Sequence, residues 1–358
     1  MTANLAKRLP SRLNSLRRSS GKILLFTCAV TAALVSDAKE LSLTKTKQQE
    51  KQAPQKQKET PENQGPAKKD APVRTQMRNV KFRFADNISV QIKSLTGALA
   101  PIGEHEMPVM DDKNSFKIRI DAAHILIYPT DLANVLNSYV FARPKSPLGG
   151  VTISIDKGQL KIKGRLRDKA NIPFETIGTL SATPDGRVRL HGEKIKALHV
   201  PVKGLMDAFG IEIDDLIKNG KLPGVSTEEN DLILDLQQVL PAPHIEGSIT
   251  TIRIEGNAIA TTFSKAPARQ LANAPANGNF MAFEGNRMQF GKLTMLDADL
   301  VLIDMDPTDP LDFFLEHYRD QLASGYTKIS TNFQLRANIK DYEKLSRQAT
   351  PKSTAPAH

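Results

Sequence analysis

The sequence predicts an α+β fold that is mainly β, with long antiparallel strands and few helices. Apolar residues recur at every second position along many segments, turn-forming residues separate those segments, and only three segments change to helical spacing. Strands with one apolar and one polar face are typical of antiparallel sheets. Such strands can close as a sandwich over their own side chains, or form a strongly curved antiparallel sheet wrapped on one or two helices.

The strands account for most of the chain after residue 78. Alternation marks residues 81–84, 88–93, 116–121, 151–156, 160–167, 188–190, 232–236 and 252–255. Lys157-Gly158, Pro184-Asp185-Gly186 and Gly256-Asn257 separate neighbouring segments, and these residue types favour tight turns. The sequence therefore predicts hairpins at these three points.

The three helical segments are short. In the first, either Thr130 or Asp131 can cap a helix. Its apolar positions are Leu132, Val135, Leu136, Tyr139 and Val140. The second predicted helix covers residues 204–219. The third covers residues 310–324, and Asp309 is its predicted cap.

The positive charge is concentrated at the N-terminus. Residues 1–78 contain 16 of the 49 basic and 6 of the 39 acidic side chains, which accounts for the whole net charge of +10. Residues 79–358 hold the remaining 33 of each and are neutral overall. A neutral folded part with 5% aromatic residues and no tryptophan lacks the usual features of nucleic-acid-binding domains, so we expect no nucleic acid as a partner.

Residues 1–38 have the order of an export signal. A basic stretch precedes the uncharged, mostly apolar residues 23–35, and the small residues Ser36 and Ala38 follow. We predict a signal peptide here or, if it is not cut, a signal anchor in the inner membrane. The expected location is the periplasm or cell envelope. The only cysteine, Cys28, lies inside this segment, so the sequence offers no disulfide framework.

Residues 39–78 are predicted to be a disordered, basic linker rich in Gln, Lys and Pro, because they carry too little apolar surface to offset the entropy of ordering. A coil of this length spans on the order of 30 Å, and the basic charge of the N-terminal segment favours contact with an anionic membrane surface. Residues 79–340 are predicted to form a single β-rich domain with a C-terminal extension at 279–340. Residues 341–358 are predicted to be a flexible tail.

Catalytic motifs are missing from the sequence, which contains no His-Glu-x-x-His, Gly-x-Ser-x-Gly or phosphate-binding loop. Asp304, Asp306 and Asp309 gather carboxylates, but a calcium loop needs more oxygen ligands and a late glutamate. A turn between a strand and a helix explains this segment better. We therefore predict no enzyme, no catalytic residue, no metal and no cofactor.

Three segments resemble a known family. They are IRIDAAHILIYPTDLANVLNSYVF at 118–141, GGVTISIDKGQLKIKGRL at 149–166 and LPGVSTEENDLILDLQQVLPAPHIEGSITTIRIEGNAI at 222–259. This pattern resembles the bacterial DUF2993, or LmeA-like, family of exported phospholipid-binding proteins. The resemblance implies a TULIP-like fold, in which a curved sheet wraps on a helix and holds lipid in a groove. It brings no catalytic residue with it.

The sequence thus predicts an exported cell-envelope protein that binds phospholipid or another acyl lipid in an apolar groove, as a carrier or a sensor. Desolvation of acyl chains would drive binding, at about 0.8 kcal/mol per buried CH₂. The predicted lining is the helix face Leu132, Val135, Leu136 and Tyr139 with the strand faces Ile153, Ile155, Leu160 and Ile162. The alternative is a non-catalytic structural or interaction domain of the periplasm with a closed core.

Overall fold

Alternating segments form the strands, and the fold is mainly β, as the sequence predicts. In the segment predicted at 232–236 the strand ends at Leu234, and Leu236 begins a short helix. The computed structural model describes residues 71–142, 146, 148–167, 171–192, 196–197, 224–228, 231–264, 270–272 and 274–345. The predicted signal segment, residues 39–70 of the predicted linker and the predicted helix at 204–219 lie outside the described residues.

The strands have the following bounds in chain order. The first ten are β1 (Val73–Ala85), β2 (Ile88–Pro101), β3 (Phe116–Ile127), β4 (Leu148–Asp156), β5 (Gln159–Leu166), β6 (Ile172–Ala182), β7 (Val188–Gly192), β8 (Lys196–Ala197), β9 (Val225–Glu228) and β10 (Asp231–Leu234). The others are β11 (His244–Glu246), β12 (Ile249–Glu255), β13 (Ala258–Ser264), β14 (Phe280–Glu284), β15 (Met288–Phe290), β16 (Leu293–Met295), β17 (Asp299–Asp304), β18 (Leu311–Phe314), β19 (Tyr326–Ile329) and β20 (Leu335–Ile339).

The helices are short. They are α1 (Pro129–Val135), which continues into a π-helical turn at Leu136–Val140, α2 (Leu236–Val239) and α3 (Tyr318–Ala323). Single 3₁₀ turns cover Leu315–His317 and Tyr342–Lys344. Within the described part of the chain, no helix is long and apolar enough to cross a membrane.

Two large sheets organise these strands. The first has the order β12-β13-β3-β2-β1-β14-β17-β20-β19, with β11 parallel to β3 and β18 parallel to β1. The second has the order β4-β5-β6-β7-β10-β9, with β8 paired to β6. Most pairs are antiparallel, and across the described residues neither sheet closes on itself.

One buried apolar cluster joins the two sheets. It includes Ile92 and Ile125 of the first sheet, and Leu160 and Ile162 of the second. The strand faces predicted to be dry therefore pack against one another. Helix α1 packs on β2 and β4, so it bridges the two sheets at the edge of this core.

Three predicted boundaries need correction. Strand β1 starts at Val73, where Val73, Thr75 and Met77 are buried, so residues 73–78 belong to the fold and not to the linker. At the other end, the turn Tyr342–Lys344 and the buried Asp341 extend the ordered structure beyond residue 340. In both places the buried residues alternate with or adjoin charged ones, so the composition of the segment resembles that of a linker or a tail.

The third correction concerns the helix predicted at 310–324. Leu311–Phe314 instead forms β18, which pairs with β1, and only Tyr318–Ala323 is α-helical. Four consecutive apolar or buried residues fit a fully buried strand as well as a helix, so local spacing cannot separate the two. Asp309 accordingly caps no helix.

The helix predicted at Thr130 or Asp131 is present as α1, but its start differs in detail. It begins at Pro129 after Tyr128, and no side chain caps it. Asp131 Oδ1 instead accepts a hydrogen bond from the Ser89 backbone amide at 2.6 Å. This bond ties the first turn of α1 to β2.

Candidate functional site

The predicted groove residues lie close together, and most of them are part of the core. Five of them are less than 10% exposed and belong to the shared apolar cluster: Val135, Leu136, Ile153, Leu160 and Ile162. Leu132 and Ile155 are partly buried and pack against the same cluster. Tyr139 is 43% exposed. Seven of the eight positions therefore contact the protein's own core, and one faces solvent.

A shallow, open cavity of about 430 Å³ lies between α1 and β4. Asn137 and Val151, which both line it, are joined by two hydrogen bonds. The Asn137 side chain accepts one from the Val151 amide at 2.9 Å and donates one to the Val151 carbonyl at 2.7 Å. Ala133 and Ile153 provide apolar surface, while Thr130 and Asn134 are polar. This cavity is small and mixed in character.

A larger cavity of about 730 Å³ lies where the start of α1 faces β1, β2 and the C-terminal turn. Its lining combines charged and polar side chains with apolar surface from Pro129, Ile153 and Pro310. The residues that matter for its chemistry are Lys81, Ser89, Gln91, Tyr128, Asp131, Asp309, Asp312, Asp341, Glu343 and Lys344. On one wall the Tyr128 hydroxyl donates to Gln91 Oε1 at 3.2 Å. We take this cleft as the candidate functional site.

Arg83 binds two carboxylates that line the cleft, those of Asp312 and Glu343. It lies on β1, and the parallel pairing with β18 brings it beside Asp312. Arg83 Nε lies 2.6 Å from Asp312 Oδ1 and its Nη2 lies 2.9 Å from Oδ2, with both side chains less than 10% exposed. Arg83 also contacts Glu343, which Lys81 reaches at 2.6 Å. The hydrogen bond to Asp312 raises the pKa of Arg83, and the Lys81 ammonium lowers the pKa of Glu343.

Lys344 forms a second ionic cluster on the rim. Its Nζ lies 2.7 Å from Asp306, 3.0 Å from Asp309 and 2.9 Å from Asp341 Oδ2. Asp341 is 2% exposed, and its Oδ1 accepts a hydrogen bond from the Asp312 amide at 2.7 Å. Because Lys344 donates to Asp306, the pKa of Asp306 falls to about 2. Burial raises the pKa of Asp341.

The carboxylates of Asp306, Asp309 and Asp341 lie within 4.8 Å of one another, which is close enough to share a cation. The Lys344 ammonium contacts all three and supplies that positive charge. Asp304 lies beside them, where it accepts hydrogen bonds from Asn279 and the Asp306 amide. The cluster thus holds the C-terminal turn against the loop that follows β17.

Sequence reasoning missed most of this cleft. It interpreted Asp304, Asp306 and Asp309 as a turn between a strand and a helix; the turn is present, but it connects the strands β17 and β18. It did not identify Arg83 or Lys344. Arg83 and Asp312 are 229 residues apart, so no local spacing connects them. One feature of the sequence could have indicated this ionic cluster: the charged residues at 340–344, which follow an alternating segment.

Comparisons of this chain with protein families, with curated proteins and with solved structures give no match. The resemblance to the DUF2993 family therefore stays a prediction from the quoted segments.

Proposed function

We propose that this chain is an exported, non-catalytic interaction domain of the cell envelope, with a closed core and an N-terminal segment that keeps it near a membrane. The observation that supports this most is the burial of the predicted groove positions in one cluster shared by both sheets. A domain whose apolar faces are filled by its own side chains acts through its outer surface.

The chemistry of the larger cavity supports the same proposal. An acyl chain gains free energy by moving from water to apolar surface. The cleft presents Lys81, Asp312 and Lys344 beside its apolar surface, so an acyl chain would have to desolvate ionic groups to enter. Its lysine and arginine side chains already pair with its carboxylates, which favours a structural role for this network.

Val135→Trp tests the closed core. Val135 is 6% exposed, so a larger side chain should overpack the cluster and lower the free energy of unfolding by about 1–3 kcal/mol in a urea titration. Tyr139→Trp is the matched control, because Tyr139 is 43% exposed and the change should cost less than about 0.5 kcal/mol. Equal stability of the two variants would mean that open space adjoins Val135, and would overturn the proposal.

Acyl-lipid binding is the second candidate, within a strongly curved, TULIP-like sheet wrapped on one or two helices. The cavity of about 430 Å³ between α1 and β4 favours it, since it adjoins Ile153 and the helix that the sequence assigned to the groove. This candidate requires uptake of phospholipid from vesicles by the full chain, and loss of uptake in Val135→Trp. The closed core requires no uptake by either protein.

Export is tested separately. N-terminal sequencing of the mature protein from the envelope fraction should give either a chain that starts after Ala38 or an uncut chain that sediments with the inner membrane. Recovery of the uncut chain in the cytosol would contradict export.

A further inference from the structure

The hairpin formed by β19 and β20 ends in apolar side chains that lie in solvent. Ile329 is 71% exposed and Phe333, in the connecting turn, is 87% exposed. All four residues of β19 are exposed, so this edge strand contributes nothing to the core. Two large apolar side chains exposed on one hairpin, four residues apart, indicate a candidate contact site.

The hairpin tip lies at the end of the sheet where the chain enters the fold. The registers pair Arg74 of β1 with Glu284, Glu284 with Asp299, and Leu300 with Leu335 of β20. The start of β1 and the start of β20 therefore lie at the same end of the sheet, separated by three strand spacings. At about 4.8 Å per strand this separation is about 15 Å.

Hydrogen bonds fix the same neighbourhood. Asn286 Nδ2 donates to the Pro72 carbonyl at 3.0 Å, and the Ala298 amide donates to the Asn286 carbonyl at 2.9 Å. Leu296, two residues before Ala298, is 75% exposed. Gln334, which follows Phe333, donates to Asp299 at 2.8 Å. The exposed apolar side chains thus belong to segments that follow β1 in the strand order, at the end of the sheet where the N-terminal segment joins the domain.

The charge of the hairpin is positive. Residues 321–340 contain Lys328, Arg336 and Lys340 and no acidic residue. Lys328 and Arg336 are opposite each other in the register, and both are exposed. The Lys328 ammonium lies 5.1 Å from the centre of the Tyr326 ring. Cations beside exposed apolar and aromatic side chains suit an anionic lipid surface.

In the adjoining segments, cations offset the charge of three acidic side chains. Asp111 pairs with Arg319 at 2.5 Å, and Glu106 lies 3.5 Å from Arg287. On the neighbouring hairpin, Asp297 is balanced in charge by Lys292. Asp299, which accepts a hydrogen bond from Gln334 beside the tip, offsets one of the two cations Lys328 and Arg336, so the tip keeps one net positive charge.

We infer that the hairpin tip (Ile329, Phe333, Lys328 and Arg336), with Leu296 beside it, is a membrane-contact site for an anionic bilayer. The apolar side chains enter the headgroup region while the cations contact lipid phosphates. This inference rests on the proposed export, because an N-terminal segment held at the membrane is joined to the domain at this end of the sheet. A partner strand fits less well, because β19 has four residues and carries a lysine, which disfavours edge pairing.

A tryptophan reporter tests the inference, because the chain has no natural tryptophan. The full chain carrying Phe333→Trp is reconstituted into vesicles of phosphatidylcholine with phosphatidylglycerol, and separately into phosphatidylcholine alone, with brominated lipids as quenchers. Met305→Trp is the matched control, because Met305 is 41% exposed and follows Asp304 at the opposite end of β17. Interfacial side chains lie about 5–10 Å below the surface, so emission of Phe333→Trp should shift to shorter wavelength and lose more than half its intensity in the anionic vesicles only.

Adding Lys328→Glu to Phe333→Trp should remove most of this quenching, since each cation near an anionic surface is worth about fivefold in partitioning. Four results would overturn the inference: unshifted emission of Phe333→Trp, equal quenching of both reporters, quenching of Met305→Trp alone, or a lipid-independent shift that grows with protein concentration. The last would indicate self-association through β19. N-terminal sequencing of the mature chain uses no vesicles, so failure of the proposed export is distinguishable from failure of the membrane site.

Discussion

Arg83 and Asp312 form a two-point ion pair whose side chains are 8% and 6% exposed. The pair joins β1 to β18, strands that local sequence could not connect. A buried ion pair adds little relative to apolar packing, but loss of one partner leaves a charge without compensation. The contribution of this pair to the free energy of unfolding should therefore be seen when one of its two side chains is replaced.

Arg83→Met should lower the free energy of unfolding by about 3–5 kcal/mol in a urea titration, because Asp312 then stays buried without its cation. Lys81→Met is the control, since Lys81 is 32% exposed and lies 3.8 Å from Asp312, and it should cost less than about 1 kcal/mol. Similar losses for both variants would show that the Arg83 pair is not the dominant contact.

The low pKa of Asp306 predicts how the stability of the fold changes in acid. This pKa is about 2, below the ordinary 3.8, mainly because Lys344 donates a hydrogen bond to Asp306. A depressed folded-state pKa stabilises the fold above the ordinary value, and that contribution is lost as pH falls from 3.8 to about 2. Asp341 acts in the opposite sense, because burial raises its pKa and its ionised form opposes folding. The thermal midpoint of Asp306→Asn should therefore fall less steeply than that of the natural protein over this window, and parallel curves would contradict it.

Among the elements, the alternating segments were predictable because one strand face is buried wherever it occurs. Residues 88–93, 116–121 and 151–156 became parts of β2, β3 and β4. Leu311–Phe314 was predicted wrongly as helix, since its partner on β1 lies more than 200 residues away. Val73, Thr75 and Met77 did alternate with polar residues, but the basic composition around them concealed the strand.

The sequence predicted which elements lie around the candidate groove. It did not predict whether their apolar faces enclose an open groove or fill it with side chains. Local spacing identified α1 and the strand faces of Ile153 and Leu160, which do belong to one cluster. Whether two apolar faces enclose space or fill it depends on sheet curvature and long-range pairing, which no short segment encodes. The ionic cleft was missed for the same reason, since its charges come together only through strand order.

Gly97 tests the β2–β3 pairing. The register of these strands shifts between Thr96 and Gly97, and a Cβ at Gly97 would lie 2.0 Å from the Arg119 carbonyl oxygen. Gly97→Ala should therefore cost about 3 kcal/mol or more of unfolding free energy. Thr96→Ala is the neighbouring control: its buried hydroxyl makes no hydrogen bond, so its removal should stay within about 1 kcal/mol. Tolerance of Gly97→Ala in thermal unfolding would show that the strands can separate there.

At the scale of the whole molecule, the shared core predicts that the two sheets unfold together. Leu160 of β5 and Ile92 of β2 lie in the same buried cluster, so opening either sheet exposes the other. Native-state hydrogen exchange in increasing urea should give the slowest amides of β2 and β5 the same opening free energy. Exchange of β5 at lower urea than β2 would show that the second sheet is an independent unit.

The closed core is tested most directly by the mass of the native protein. The full chain, purified from the envelope without detergent, should give by native mass spectrometry the mass of the polypeptide alone, and its organic extract should contain no stoichiometric phospholipid. Retention of about one phospholipid per chain, lost in Val135→Trp, would contradict the closed core and establish the groove.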